Sequence, residues 1–377
     1  PESKRGRIFE VSLDAATKHI ERLIAAEGET PELFLLKSRI LASRRADALL
    51  SEIVDKAEEK KEAEPKPEQP KAVPATPPVD ECVELLKQIV ARWPNFAPGQ
   101  LALGRELVSI LDDGALSPLS KDAEAGIAAL QNYARLVPDD PRVWREMAQA
   151  YEQLEKDTEA EAAYRAAIQR DGAYPDHHAA LVNFLLDREE MDKAKTAFTR
   201  MLKVSPDANE AFEYLDDGEG FDADSAKVRE TLLLAFPKEV AASQSALRLL
   251  ADLQEAQNKI AEAIKSTQRA IAIEATTEDY ESLSRLYRQQ RRFAEALAAA
   301  NQALKLDDSA TYIQFERACS LAQLGRKREA IAALKEAIES DGSPFFDLDE
   351  PDLQPLATMP EFKAMKEAMK EKLGGGK

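Results

Sequence analysis

Along this chain, apolar positions recur with helical spacing, and a longer beat of about 34 residues runs over them. Ala160, Tyr164 and Ala167 stand at i, i+4 and i+7, which is one face of a helix. The same spacing returns as Ala194, Phe198 and Met201. Following the small residue gives Gly126, Ala160, Ala194, Val228, Ala263, Ala296 and Ala330, in steps of 34, 34, 34, 35, 33 and 34. Two short helices per beat, neither able to bury its apolar face alone, predict hairpins stacked so that each touches only its neighbours. Pro138, Pro206 and Pro237 punctuate helix ends, where a missing N–H costs least. Upstream, Cys82, Leu86, Ile89 and Pro94 fit a second helix, and Leu103, Gly104 and Leu107 fit the next first helix. The step from Cys82 to Gly126 is 44, which places about ten extra residues in a turn at 112–121. Ala16, Ile20 and Leu23 read as one further second helix.

Laid in phase, these residues resemble the tetratricopeptide repeat (TPR). That family places large residues at positions 4, 7, 11 and 24, small ones at 8, 20 and 27, and often proline at 32. From Pro141, the residues Trp144, Met147, Ala148, Tyr151, Ala160, Tyr164 and Ala167 fill these places in order, with Gly172 where the proline would stand. From Pro175, Leu181, Leu185, Ala194, Phe198 and Pro206 do so. The resemblance implies an all-α, right-handed superhelical TPR solenoid of roughly eight helical hairpins. The tail, from Ser343 through Phe362, is similar to the segment that ends many bacterial arrays.

Three stretches depart from the beat. Residues 62–79 hold six prolines among Lys and Glu, a polyproline-like linker that reaches about 56 Å at ~3.1 Å per residue. It follows a charged helix expected from Ala46 to about Lys61 and interrupts the repeat containing Phe34, Leu41 and Cys82. Asp216, Asp217, Gly218, Glu219 and Gly220 break another repeat, so its first helix is expected to be short. At the end, Phe362, Met365, Met369 and Leu373 form one apolar stripe suited to a capping helix. The expected division is a helical, TPR-like segment at 1–61, the linker at 62–79, the array at 80–345, and a capping helix and tail at 346–377.

Composition narrows the function. Helix formers dominate, Gly counts only 14 and aromatics 6%, as small-residue helix packing needs. A net charge of −18 opposes nonspecific attraction to nucleic acid or anionic membrane. Cys82 and Cys319 lie six or seven repeats apart, and stacked helices advance roughly 8–10 Å each, so a disulfide between them is not expected. Free thiols point to a reducing compartment and a cytoplasmic location, although a periplasmic one or membrane attachment through a partner also fits. Residue 1 is proline without a signal-peptide pattern, and loss of an initiator Met, trimming or a cleaved leader all fit that start.

In the family the concave groove is lined by first-helix positions 2, 5, 9, 12 and 13. Carried over, the resemblance puts Arg105, Arg142, Arg145, Gln149, Asn183, Arg248, Arg285 and Arg288 there. Guanidinium forks suit carboxylates and phosphates, which would favour an acidic partner. Glu152, Asp187, Asp252 and Glu281 map to the same face, so a self-neutralised surface is the other reading. Arg145, Gln149 and Asn183 match only part of the set with which one TPR subset holds a terminal carboxylate. Cys82 takes the small position 20, and Cys319 maps to position 9, facing the groove, with no His or acid spaced to activate it. Asp176, His177 and His178 read as a helix cap with adjacent histidines rather than a metal site. The acids at 216–224 lack the ligand order of a calcium loop.

No phosphate loop, nucleophile elbow or zinc-protease motif appears, so no catalytic residue, cofactor or metal is expected. The resemblance implies a protein-interaction scaffold or adaptor that holds a peptide or helix of a partner, as a subunit or assembly factor of a larger complex. A helical-repeat nucleic-acid binder using the inner arginines and a regulatory enzyme subunit are the alternatives.

Overall fold

The computed structural model describes residues 16–26, 28–43, 81–109, 120–205, 207–216, 220–341 and 346–374. Among these residues there are helices and turns but no strand. The chain divides into two compact units, Pro1–Gly172 and Ala173–Lys377. The expected charged helix at 46–61, the Pro-rich stretch at 62–79 and most of the turn at 112–121 lie outside the described residues.

The first unit contains α1 (16–26), α2 (31–43), α3 (Glu81–Arg92), α4 (Ala97–Ser109), α5 (Ser120–Leu136), α6 (Pro141–Gln153) and α7 (Asp157–Arg170). Leu35, Cys82, Leu86, Ile89, Leu103 and Leu107 share one apolar cluster, so α2 and α3 pack together across the long sequence insertion. The Cys82 thiol donates to the Ser38 carbonyl at 3.3 Å, and Phe34 meets Trp93 edge-on at 5.7 Å. Further along, Asp140 caps α6 by accepting the Arg142 N–H at 3.1 Å, with Pro141 at the first helical position. Arg170 lies over the Trp144 ring at 4.0 Å and donates to the Pro138 carbonyl at 2.6 Å.

The second unit contains α8 (Pro175–Asp187), α9 (Met191–Val204), α10 (Ala208–Glu213), α11 (Ala223–Leu234), α12 (Pro237–Ala242), α13 (Gln244–Ala256), α14 (Ile260–Ile273), α15 (Thr277–Gln289), α16 (Phe293–Leu306), α17 (Thr311–Gln323) and α18 (Lys327–Asp341). A 3-10 turn (Pro351–Leu356) and α19 (Pro360–Gly374) follow. As expected, the first helix of the broken repeat is short: α10 has six residues. The expected phase slips beside it. Val228 is half-exposed while Ala226 is fully buried, so after the shortened α10 it is Ala226 that turns inward on α11. At the C-terminus, Phe362 and Met369 are buried and Met365 packs against the same cluster of α17 and α18 side chains, together with Leu348, Leu353 and Leu356.

Each regular hairpin turns through one recurring backbone motif. Glu155, Glu189, Asn258, Arg291 and Gly325 all have positive φ, from 56° to 74°. In the first of these turns the Lys156 N–H reaches the Tyr151 carbonyl and the Glu155 N–H reaches the Glu152 carbonyl, both at 2.9 Å. This pairing closes the last turn of a helix, and it repeats after α8, α13, α15 and α17. Four of the five residues are not glycine, so each accepts a left-handed conformation that costs about 1–2 kcal/mol.

Small residues set how closely the helices approach. Ala160, Ala194, Ala263, Ala296 and Ala330 are all 0% exposed, and Ala148, Ala270, Ala303 and Ala337 match them. In the α4–α5 hairpin, glycine is needed at both contact points. A Cβ on Gly104 would meet the Leu130 side chain at 2.5 Å and the Gly126 carbonyl at 3.2 Å; one on Gly126 would meet Leu107 Cβ at 2.9 Å. Gly126→Ala is expected to lower stability by about 1–3 kcal/mol, outweighing the helix-propensity gain of roughly 0.5–1 kcal/mol. Gly104→Ala should be destabilising by a similar amount, since the Leu130 side chain it would meet is itself fully buried. Chemical denaturation checks both, and a stabilised Gly126→Ala protein would contradict the packing.

Candidate functional site

The first helices of successive repeats are α4 and α6 in the first unit and α8, α10, α13, α15 and α17 in the second. Side chains reaching from one first helix to the next build a polar ladder. In the first unit Arg105 grips Glu146 of α6 with both oxygens, Nε at 3.0 and 3.1 Å and Nη2 at 2.5 Å. That hydrogen bond, more than the charge alone, raises the Arg105 pKa. Arg142 turns back on the cap residue Asp140 at 3.1 Å, Arg145 is half-buried on α6, and Gln149 is exposed.

The second unit continues the same construction. Asn183 of α8 donates to the Tyr214 carbonyl beyond α10 at 3.0 Å. Ser245 of α13 donates to Glu213 of α10 at 2.8 Å. Arg248 holds Asp279 of α15 through Nε at 2.6 Å and Nη2 at 3.0 Å, and also reaches Thr276 at 2.8 Å. Asp279 is 2% exposed and accepts from Gln244 as well, so this buried carboxylate is fully engaged. Arg285 pairs with Glu255 of α13. Arg288 of α15 gathers Glu316 of α17 at 2.6 Å, Glu350 at 2.7 Å and Asp352 at 2.8 Å. Desolvation is the largest influence on Arg288 and opposes its charge, but the carboxylates of Glu316 and Asp352 overcome it and raise its pKa.

The guanidinium forks of Arg105, Arg142, Arg248, Arg285 and Arg288, which the sequence offers to an acidic partner, are therefore already engaged with carboxylates of this chain. Their partners are not the acids mapped to the groove. Glu152 accepts the Tyr164 hydroxyl at 2.9 Å, and Asp187 accepts from Arg229 at 3.1 Å. Cys319, expected to face the groove, is 0% exposed, because the segment bearing Leu348, Leu353 and Leu356 packs on the same cluster. Burial pushes its thiol pKa up, which removes nucleophilic character. Cys82 is buried as expected, and both thiols are free. Asp176 does not cap α8: Tyr174 holds the cap position, Pro175 starts the helix, and the Asp176 carboxylate raises the Tyr214 pKa by accepting its hydroxyl. His177 and His178 are buried at 2% and 4% exposure.

One network lay beyond the sequence signal. Glu230 of α11 receives Gln254 at 3.2 Å, Gln257 at 3.0 Å and the Lys259 ammonium. Burial works against its charge, but these donors hold its pKa below the usual carboxylate range. Among the described residues no three His, Cys, Asp or Glu side chains gather as metal ligands, and no helix is long and apolar enough to cross a membrane.

Asp252 of α13 behaves differently from the paired acids. It is exposed by surface area, yet protein surrounds it on the first-helix face, and desolvation raises its pKa to about 6. Glu255 and Asp216 add like charge, while Arg285 and Arg248 offset part of the effect.

Two family models match the chain: "Tetratricopeptide repeat" over residues 282–344, and "YpiA-like, C-terminal tetratricopeptide repeats" over residues 141–208. No curated protein matches it in sequence. Among solved structures it is similar to yeast Tom70 at 13% identity and TM-score 0.36, covering 97% of this chain and 90% of that one. The C-terminal part of a TPR protein from Cytophaga hutchinsonii is similar at 11% identity and TM-score 0.42, covering 73% and 93%. TTC0263, a TPR protein of Thermus thermophilus, is similar at 16% identity and TM-score 0.27, covering 60% and 98%.

Arg288 is expected to pin the C-terminal segment. Arg288→Ala strands three carboxylates and should cost about 3–5 kcal/mol, with amide exchange accelerating at 347–356 before it does elsewhere. Arg288→Lys keeps the charge but loses the fork and should recover only part of that loss. Unchanged exchange in 347–356 would refute the pinning role.

Asp252 carries a pH signature. Its folded pKa lies above the unfolded value of about 3.9, so its burden is absent below about pH 4 and complete above about pH 6. Asp252→Asn should therefore be more stable than the parent at pH 7, by no more than about 1 kcal/mol given the exposure. The difference should close as pH falls through 6 towards 4. Paired urea melts across that range, with carboxyl NMR titration, check it; a midpoint near 4 would contradict the assignment.

Proposed function

Because the chain is a tetratricopeptide-repeat protein, we propose that it is a protein-interaction scaffold whose first-helix faces hold a peptide or helix of a partner within a larger complex. The observation that carries this reading is the polar ladder. Ion pairs and hydrogen bonds link α4 to α6, α10 to α13, α13 to α15 and α15 to α17, so these faces are preformed before any partner arrives. A preorganised face loses little conformational freedom on binding, and that saving becomes affinity. An extended peptide or a helix lying across several first helices would read their exposed side chains in register. In this reading Arg105, Arg142, Arg145 and Gln149 frame the face of the first unit and Asn183, Arg248, Arg285 and Arg288 that of the second, and the paired arginines among them position each face rather than meet the partner as bare cations.

Photo-crosslinking in native extracts tests the face directly. A benzophenone amino acid at the exposed positions Gln149 or Glu278, both on first helices, is expected to capture a discrete partner. The same probe at Arg269, exposed on the second helix α14, should not. Equal capture from Arg269, or no discrete product from either first-helix position, would refute the proposal.

A further inference from the structure

The charges on the first-helix face of the second unit do not balance. Arg248 and Arg285 are each matched by a carboxylate, Asp279 and Glu255. Arg288 is over-matched, with Glu316, Glu350 and Asp352 around one guanidinium. Asp252 on α13 and Glu281 on α15 make no hydrogen bond or ion pair among the described residues. Glu316 on α17 is 1% exposed, and its Oε2 has no hydrogen-bond partner although it is buried. Surplus acceptor capacity thus recurs on three consecutive first helices. Beside it, Tyr312 of α17 exposes 46% of its surface, a large aromatic ring left open to solvent. Tyr312 stands one turn before Glu316 on α17, and burial first, then the fields of Glu316 and Glu281, raise its pKa. Burial and the neighbouring Glu316 likewise raise Glu281.

We propose that the strip from Asp252 through Glu281 to Tyr312 takes a cationic segment of the partner, an extended peptide bearing arginine or lysine. Asp252 and Glu281 accept its guanidinium or ammonium N–H groups, the Tyr312 ring faces one cation, and buried Glu316 contributes field rather than contact. Arg285 lies within electrostatic reach of both acids but is bonded to Glu255, so Asp252 and Glu281 keep their acceptor oxygens open, and partly desolvated carboxylates gain more from an incoming cation than fully hydrated ones do. Adjacent first helices stand roughly 8–10 Å apart and an extended peptide advances about 3.3 Å per residue, so basic residues about three positions apart match the strip. This sign is opposite to the one suggested by the arginine positions in the sequence. The inference rests on the scaffold reading and names the chemistry of its ligand.

Fluorescence anisotropy of the full chain in about 0.1 M salt tests it, with two labelled peptides of equal length, one an Arg-Ser-Ala repeat and the other a Glu-Ser-Ala repeat. The cationic probe is expected to bind at least about tenfold more tightly. Asp252→Asn with Glu281→Gln should weaken it about tenfold, and Tyr312→Ala several-fold. Asp192→Asn with Glu262→Gln removes the same charge from exposed positions on the second helices α9 and α14 and should leave affinity within about twofold. Equal loss in both double variants would reduce the effect to net-charge attraction and overturn the proposal, as would preference for the acidic probe or no binding of either. Discrete crosslinks from Gln149 and Glu278 alongside such a failure would leave the scaffold reading standing, whereas their absence would remove it.

Discussion

Close approach between neighbouring helices is the constraint on which the rest of this structure depends. A buried alanine, or glycine in the α4–α5 hairpin, stands at nearly every point where one helix backbone meets the next. Only with so little side chain at these points can large neighbours such as Tyr164, Phe198 and Leu334 fill the remaining space without voids. Each such side chain contributes about 1.5–3 kcal/mol when fully buried, but only at that separation. The turn between paired helices must match the same separation. Four non-glycine residues accept a left-handed conformation there, which shows that stacking geometry outranks local backbone preference.

Once the first helices are that close, their flanking polar groups face each other across a short gap. Arg105 and Glu146, Arg248 and Asp279, and Arg288 and Glu316 are the same solution repeated in different hairpins. Isolated at the surface, such pairs would contribute little. Here Asp279 and Glu316 are almost wholly buried, so losing the opposite arginine would leave an uncompensated charge inside the stack. The ladder therefore fixes register between repeats. At the C-terminus it also fastens the tail, where Glu350 and Asp352 add their oxygens to Arg288.

How much of this was legible in the sequence depended on whether a residue's role is set within its own repeat or by its neighbour. The small-residue series was readable because packing within each hairpin demands it, and Ala160, Ala194, Ala263, Ala296 and Ala330 all fall where expected. Val228 does not: after the short α10 it is Ala226 that turns inward, and even spacing conceals the change. The recurring left-handed turn had a glycine signature only at Gly325, so Glu155, Glu189, Asn258 and Arg291 gave no signal. The sequence puts these arginines on first helices, but their partners lay outside its reach. Counted from each repeat's start, Glu146 and Glu316 stand at position 6 and Asp279 at position 3, on the helix flank that turns towards the preceding repeat. A groove map built from one repeat does not include that flank.

The same distinction explains why net charge is a poor guide to the chemistry this face presents. At −18 the whole chain repels anions, yet a count of arginines on the first helices suggests the reverse preference. Neither count decides the matter, because a charge already satisfied inside the fold is not available to a partner. What remains are the groups left unmatched after the ladder has formed, and in the second unit these are carboxylates beside an exposed tyrosine ring. A stiff array can hold such groups apart at fixed spacing without letting them rearrange to find their own counter-charges. Rigidity and unmet charge are then two consequences of one packing rule.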